Sequence, residues 1–269
     1  DIAIHPSDQS TWYVAVGSGG VFKTTNRGTT WTPIFDDQDS YSIGCVTLDP
    51  GNPSVVWVGT GENIGGRHVG FGNGVYRSLD GGRSWEHRGL DDSQHIARIL
   101  VDPRNSDVIL VASQGPLWSP GGGRGVFRSA DGGATWTKVL GGGEWTGVTD
   151  LVRDPREPDR LYAATWQHHR TVAAVIDGGP ESGIHASADG GLSWRRLTEG
   201  LPEGALGKIG LAISPQQPDV LYAAIELDRR TGGVWRSADR GASWTKMSEA
   251  VSGATGPHYY QELVASPHA

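Results

Sequence analysis

The sequence has one cysteine, one methionine and no long apolar run, and each scarcity excludes a class of protein. A single cysteine cannot form a disulfide within the chain, so we expect Cys45 to be a small buried residue on a strand. The longest apolar runs are about five or six residues, whereas a transmembrane helix needs about 20. We therefore predict no membrane-spanning segment.

Basic residues are also in the minority, because 23 lysines and arginines face 30 aspartates and glutamates. No basic stripe stands out, so we expect no nucleic-acid partner. The sequence contains no calcium-binding Asp-x-Asp-x-Asp-Gly loop. The glycine-containing segment that begins at Gly59 lacks the third glycine of the dinucleotide-binding fingerprint. His168 and His169 are adjacent and would diverge on an extended loop. We predict neither a metal site nor a cofactor.

What the sequence does contain is a repeated eight-residue box, Ser-x-Asp-x-Gly-x-(Ser/Thr)-Trp. Four copies are intact, and a fifth has Asn26 in place of the aspartate. The copies recur about every 50 residues, which indicates a repeat architecture. Their acidic or amide positions and closing tryptophans are Asn26 and Trp31, Asp80 and Trp85, Asp131 and Trp136, Asp189 and Trp194, and Asp239 and Trp244.

Short apolar runs surround each box in the same order. Two runs separated by a proline turn come first, then a short third run, the box, and a fourth run that starts near the tryptophan. Four short strands at this period are typical of a β-propeller blade, and we see no helical periodicity of the usual length. We predict an all-β propeller of four-stranded antiparallel blades in a single domain, residues 1–269, forming part of a larger propeller. The five full blades span about residues 1–40, 41–92, 93–144, 145–203 and 204–254, and residues 258–269 begin a sixth with its first strand.

A local structural role explains the box. Its aspartate can accept hydrogen bonds from backbone N–H groups of its own turn, and its glycine can take a positive φ. Its tryptophan offers a large apolar face to pack between sheets. We therefore expect these residues to stabilise turns and not to act in catalysis.

The box resembles the Asp-box, also called the bacterial neuraminidase repeat, and the resemblance covers the whole chain. This repeat occurs in sialidases, sortilin-type receptors, two-propeller xyloglucanases and photosystem assembly propellers. Residues 10–31 and 48–63 look most similar to large exported bacterial proteins labelled sortilin-like or glycosyl-hydrolase-like. The resemblance implies an extracytoplasmic bacterial protein, periplasmic or secreted. It also implies that ligands bind at the loops after the second strand of each blade and between blades.

Those loops contain the candidate binding residues. Three of the loops after second strands are long, at residues 59–74, 113–125 and 165–183, and binding residues concentrate in such loops. Aromatic side chains beside charged ones suit contacts with either sugars or proteins. The candidates are Arg67, His68, Trp118, Trp145, Trp166, His168, Arg170, Tyr259 and Tyr260.

Two functions remain open. A glycosidase normally needs two carboxyl groups across the scissile bond, and Asp36 or Asp37 follows the first box as similar acids do in xyloglucanases. No second carboxylate can be assigned, and the arginine triad of sialidases is not identifiable. The favoured interpretation is a non-catalytic scaffold or accessory subunit of a larger complex, with a protein partner on its loops. The alternative is a carbohydrate-active, glycoside hydrolase-like module, related to xyloglucanases or sialidases, that lacks its second domain.

Overall fold

The structure is a computed structural model that describes residues 1–64, 69–228, 231–250 and 262–266. These residues form five four-stranded antiparallel sheets and one small hairpin. Sheet one consists of β1 (Ile2–Ile4), β2 (Trp12–Val16), β3 (Gly20–Thr24) and β4 (Thr32–Pro33). Sheet two consists of β5 (Ile43–Leu48), β6 (Val56–Thr60), β7 (Val75–Ser78) and β8 (Glu86–His87). Sheet three consists of β9 (Ile96–Asp102), β10 (Asn105–Ser113), β11 (Gly125–Ser129) and β12 (Thr137–Leu140).

Sheet four has the same order with the hairpin inserted after its second strand. It consists of β13 (Thr146–Arg153), β14 (Leu161–Gln167), β17 (Gly183–Ser187) and β18 (Arg195–Leu197), and the hairpin of β15 (His169–Arg170) and β16 (Val175–Ile176). Sheet five consists of β19 (Ile209–Ile213), β20 (Leu221–Asp228), β21 (Thr231–Ser237) and β22 (Thr245–Ser248). One 3-10 turn, Asp91–Ser93, is the only helical element of the described ranges. In those ranges, no helix is long and apolar enough to cross a bilayer.

The sheets are arranged around a common axis. The first strands of consecutive sheets lie side by side, with β5 beside β1 and β9, and β13 beside β9 and β19. Every residue of β6 is buried, and so are the first six residues of β14, because these second strands have a neighbouring sheet on both faces. The buried apolar side chains form clusters between successive sheets. This is the packing of propeller blades.

The boxes join the third and fourth strands of all five sheets, and they share one hydrogen-bond pattern. In the second box, Ser84 donates its backbone N–H at 2.9 Å and its hydroxyl at 2.7 Å to the Asp80 carboxylate. Ser78 donates its hydroxyl to the same carboxylate at 2.8 Å and accepts the N–H of Gly82. Equivalent bonds recur around Asn26, Asp131, Asp189 and Asp239.

The box tryptophans differ in how they reach the preceding sheet. Trp85 donates its indole N–H to the Ile34 carbonyl at 2.6 Å, and Trp136 donates to the Arg88 carbonyl at 2.7 Å. The other three differ: Trp31 is exposed, Trp194 donates within its own box, and Trp244 is buried with no partner for its indole N–H in the described residues.

Three sequence predictions can be compared with the described residues. The predicted first strand of a sixth blade falls on residues 258–269, of which only 262–266 are described, and these form no strand. The predicted loop at 165–183 starts later, because β14 continues to Gln167 and pairs with β13 to its end. Cys45 is buried on β5 as expected, and burial raises the pKa of its thiol to about 11.

Candidate functional site

One face of the molecule collects the long connections. In an antiparallel four-stranded sheet, the turns after the first and third strands lie at one end, and the loop after the second strand lies at the other with the link to the next sheet. We call this second end the loop face. Neighbouring loops there are joined by backbone hydrogen bonds, from Gly72 N–H to the Gln94 carbonyl at 2.7 Å and from Arg170 N–H to the Leu117 carbonyl at 3.2 Å.

The loop face contains a cavity of about 380 Å³ between sheets four and five. One wall is the β15–β16 hairpin with the residues that follow it, and it contributes Arg170 and Asp177. The opposite wall is the end of β20, which contributes Glu226 and Asp228. We call this cavity the groove. Its size lies in the range of small-molecule sites, and three carboxyl groups and one guanidinium line it.

Glu226 is the unusual acid of the groove because it is only 4% exposed. Its Oε2 accepts the backbone N–H of Lys208 at 3.3 Å, and its own backbone N–H donates to the Lys208 carbonyl at 3.1 Å. Burial, with a smaller contribution from the nearby carboxylates of Asp177 and Asp228, raises the pKa of Glu226 to about 7. This side chain can therefore hold a proton near neutral pH, whereas a solvated glutamate would have lost it.

Asp177 is held in place through its backbone. The indole N–H of Trp166 donates to the Asp177 carbonyl at 2.9 Å. Two residues further on, Gly179 pairs with Leu206 in a β-bridge that joins the hairpin segment to the link between sheets four and five. The two walls of the groove are thus connected at their base.

The structure separates the predicted binding residues into groups. Trp118 is exposed, and Trp145 is half-buried with its ring 4.3 Å from that of His169. Trp166 and His168 are buried beneath the loop face, because β14 extends further than predicted, and neither can touch a ligand in this conformation. Arg170 is buried in the groove wall. Arg67, His68, Tyr259 and Tyr260 lie outside the described residues.

Asp36 and Asp37 lie elsewhere on the loop face. Both are exposed in the link between sheets one and two, and Asp36 faces Gly20. The groove lies between sheets four and five, and neither Asp36 nor Asp37 lines it. Within the described ranges, no group of three or more histidine, cysteine, aspartate or glutamate side chains is arranged to hold a metal ion.

Exposed aromatic rings occupy the same face. Tyr41 is 68% exposed, Phe71 is 72% exposed and Trp118 is 48% exposed, and they lie in loops of three successive units. Large apolar side chains at such exposure are candidates for ligand contact. The candidate residues predicted from the sequence do not include Asp177, Glu226 or Asp228. The only available signal was the position of each at or near the end of an apolar run.

The fold and this face define the class of protein, a β-propeller with its long loops at one end. No protein-family model matches the chain. The chain is 23% identical to a xyloglucanase of Paenibacillus sp in an alignment of length 288 that covers 96% of the chain and 27% of that enzyme. It is 22% identical to a xyloglucanase of Acetivibrio thermocellus in an alignment of length 276 that covers 92% of the chain and 31% of that enzyme. The chain thus spans less than a third of these curated relatives.

Solved structures give the same picture of the fold. An ancestral GH74 enzyme superimposes with a TM-score of 0.70 at 23% identity, over 92% of this chain and 30% of that one. The GH74 xyloglucanase from Xanthomonas campestris also superimposes with a TM-score of 0.70, at 19% identity, over 100% of this chain and 42% of that one. At this identity the likeness establishes the propeller fold alone. The total number of blades and the likeness to sortilin-type receptors stay predictions.

These findings correct the favoured interpretation of the sequence. The prediction of a non-catalytic scaffold that is not an enzyme is wrong, because the similar proteins are xyloglucanases along nearly the whole chain. The alternative, a carbohydrate-active module, agrees better with them. The sequence offered no second carboxylate to pair with Asp36 or Asp37, and the acids of the groove come together only on folding.

Proposed function

We propose that this chain is a glycoside hydrolase module directed at a β-glucan of the xyloglucan type, with the polysaccharide bound on the loop face. The observation that carries the proposal is the groove, where a buried Glu226 faces the same cavity as Asp177 and Asp228. Hydrolysis of a glycosidic bond needs one protonated and one ionised carboxyl group, and such groups are made by placing two acids in different environments. The names of the relatives support the substrate class.

Each groove residue has a role in this proposal. Glu226 donates its proton to the glycosidic oxygen as that bond breaks, and the leaving saccharide departs with a new hydroxyl. Asp177 or Asp228 accepts a proton from the water that attacks the anomeric carbon. Arg170 in the wall balances the negative charge of the remaining acids. The aromatic rings of Tyr41, Phe71 and Trp118 provide faces on which sugar rings stack.

We also propose that the exposed carboxylates of Asp36 and Asp37 contact the polysaccharide where it crosses the loop face. We also propose that residues 1–269 form one propeller domain with the blade bounds given above. Because the substrate is a large extracellular polymer, we propose an extracytoplasmic location.

The test compares hydrolysis of xyloglucan by the purified chain and by three variants. Glu226→Gln keeps the shape of the side chain and removes its acidic proton, so we expect a loss of about 100-fold or more in kcat. Glu144→Gln, an exposed loop-face acid outside the groove, is the matched control and is expected to leave kcat unchanged. The third variant carries both Asp36→Asn and Asp37→Asn.

The pH profile gives a second readout. Because the pKa of Glu226 is raised to about 7, its protonated form is populated below that pH, and activity should fall as pH rises through about 7. Turnover that survives Glu226→Gln but is lost in the double Asp36/Asp37 variant would transfer the acid role to the first sheet. The absence of both binding and turnover of xyloglucan by the chain would refute the proposed function.

A further inference from the structure

A buried aromatic stack lies directly beneath the groove. The imidazole of His168 stacks on the indole of Trp166 with ring centroids 3.9 Å apart and planes 9° apart. The ammonium of Lys208 lies 5.8 Å from the centroid of the same indole. All three side chains are buried. Buried aromatic and basic side chains usually serve only to pack the core, so a further role has to be argued from the hydrogen bonds that these three residues make.

The stack is connected to both walls of the groove. Trp166 donates its indole N–H to the Asp177 carbonyl at 2.9 Å, which fixes the hairpin wall. The Lys208 backbone N–H donates to Glu226 Oε2, and the Lys208 carbonyl accepts the backbone N–H of Glu226, which fixes the β20 wall. The Lys208 ammonium donates to the Asn63 carbonyl at 3.0 Å. A shift of the Trp166 indole would therefore change the separation of the Asp177 and Glu226 carboxyl groups.

His168 is the member of the stack that can change state. It is 1% exposed, and neither ring nitrogen has a hydrogen-bond partner among the residues that the structure describes. The groups that act on it from the neighbouring elements are Arg124 before β11, His95 before β9 and Lys208 before β19. Each is cationic or becomes so in acid. A protonated imidazole there would be buried among like charges.

We propose that the stack of His168 on Trp166 is the positioning element of the groove, and that protonation of His168 separates the stack and opens the groove in acid. The proposal rests on the proposed function for the importance of the groove, but its physical content stands apart from catalysis. His168 touches no substrate in this arrangement and acts only through Trp166.

The direction of the pH effect follows from linkage. Burial is the main cause that lowers the pKa of His168 well below its usual value of 6.5, and the charge of Arg124 adds to it. The unfolded or opened chain therefore binds a proton more readily than the closed form. The closed form is favoured above about pH 6.5 and loses stability progressively as pH falls below it.

Hydrogen exchange measured by mass spectrometry tests this without any need for turnover. In the full chain, amides of residues 165–178 should exchange at least about tenfold faster at pH 4.5 than at pH 7, after correction for the intrinsic rate. His168→Phe keeps an aromatic ring on Trp166 and removes the titrating nitrogens, so its exchange should be equally slow at both pH values. His169→Phe, the matched control on the adjacent half-buried histidine, should respond to pH as the wild type does.

The pH profile of hydrolysis gives a second readout. In His168→Phe the acid limb of the profile should extend to lower pH than in the wild type, whereas a purely structural role of His168 would leave the position of this limb unchanged. If His168→Phe fails to fold, the exchange of residues 165–178 in His168→Leu and in the wild type at the two pH values tests the proposal instead. Equal protection of residues 165–178 at both pH values, or the same acid response in His168→Phe as in the wild type, overturns the proposal. A chain without glycosidase activity that shows the predicted exchange would refute the proposed function alone.

Discussion

Replacing the same box tryptophan in two blades should give different results. Trp136 and Trp244 occupy equivalent positions, but Trp136 donates its indole N–H to the Arg88 carbonyl of the preceding sheet at 2.7 Å. Trp244 is buried, and its indole N–H has no partner in the described part of the chain. Substitution by phenylalanine keeps an aromatic ring at both places. It removes a hydrogen bond in the first and an unpaired buried donor in the second.

The magnitudes follow from these two environments. Phenylalanine covers about 40 Å² less apolar area than tryptophan, which costs about 1 kcal/mol at ~25 cal/mol per Å². At Trp136 the lost hydrogen bond adds about 1 kcal/mol, so Trp136→Phe should lower the free energy of unfolding by about 2 kcal/mol. At Trp244, release of an unpaired buried N–H returns about 1–3 kcal/mol. Trp244→Phe should therefore be close to neutral or stabilising.

Equilibrium unfolding in urea measures both variants against the wild type, with intrinsic fluorescence and circular dichroism as two probes of the transition. Trp31→Phe serves as the baseline, because that ring occupies the same box position and is 40% exposed. We expect the order of stability to be Trp136→Phe below Trp31→Phe, and Trp31→Phe at or below Trp244→Phe. An equal loss for Trp136→Phe and Trp244→Phe would refute the argument that the partner of the indole N–H decides the outcome.

Two further predictions concern the box and the buried thiol. The hydrogen bonds from Thr135 and Ser129 lower the pKa of Asp131 to about 2, so its contribution to stability is complete above about pH 4 and is lost as pH falls towards 2. Thermal melts of Asp131→Asn should therefore show a lower Tm than the wild type at pH 7 and a smaller difference at pH 2. Burial of Cys45 and its raised pKa predict that iodoacetamide leaves the native chain unmodified at pH 8 and modifies it fully in denaturant, as read by intact mass. Modification of the native chain at the denatured rate would contradict this.

The groove shows why the candidate site could not be predicted from the sequence. Asp177 and Glu226 belong to different repeat units, and nothing in their local sequence indicates that they face one cavity. Their approach depends on the pairing of Gly179 with Leu206 and on the position of β20 beside the hairpin. The raised pKa of Glu226 is likewise a property of its burial, which only the packed sheets produce.

Local patterns predicted the fold well, because the interactions that form each blade are close in sequence. The box turn around Asp80 is made by residues within a span of eight, and the alternation of apolar runs and turns sets the strands. Trp166 and His168 show the limit of this logic. Their sequence indicates an exposed loop, but pairing of β14 with β13 continues to Gln167 and buries both side chains. The sequence by itself therefore determined the repeat, the four-strand unit and the turn chemistry, since these depend on neighbours along the chain. The tertiary structure alone decided which acids meet and which aromatic rings are covered, since those contacts join residues of different blades.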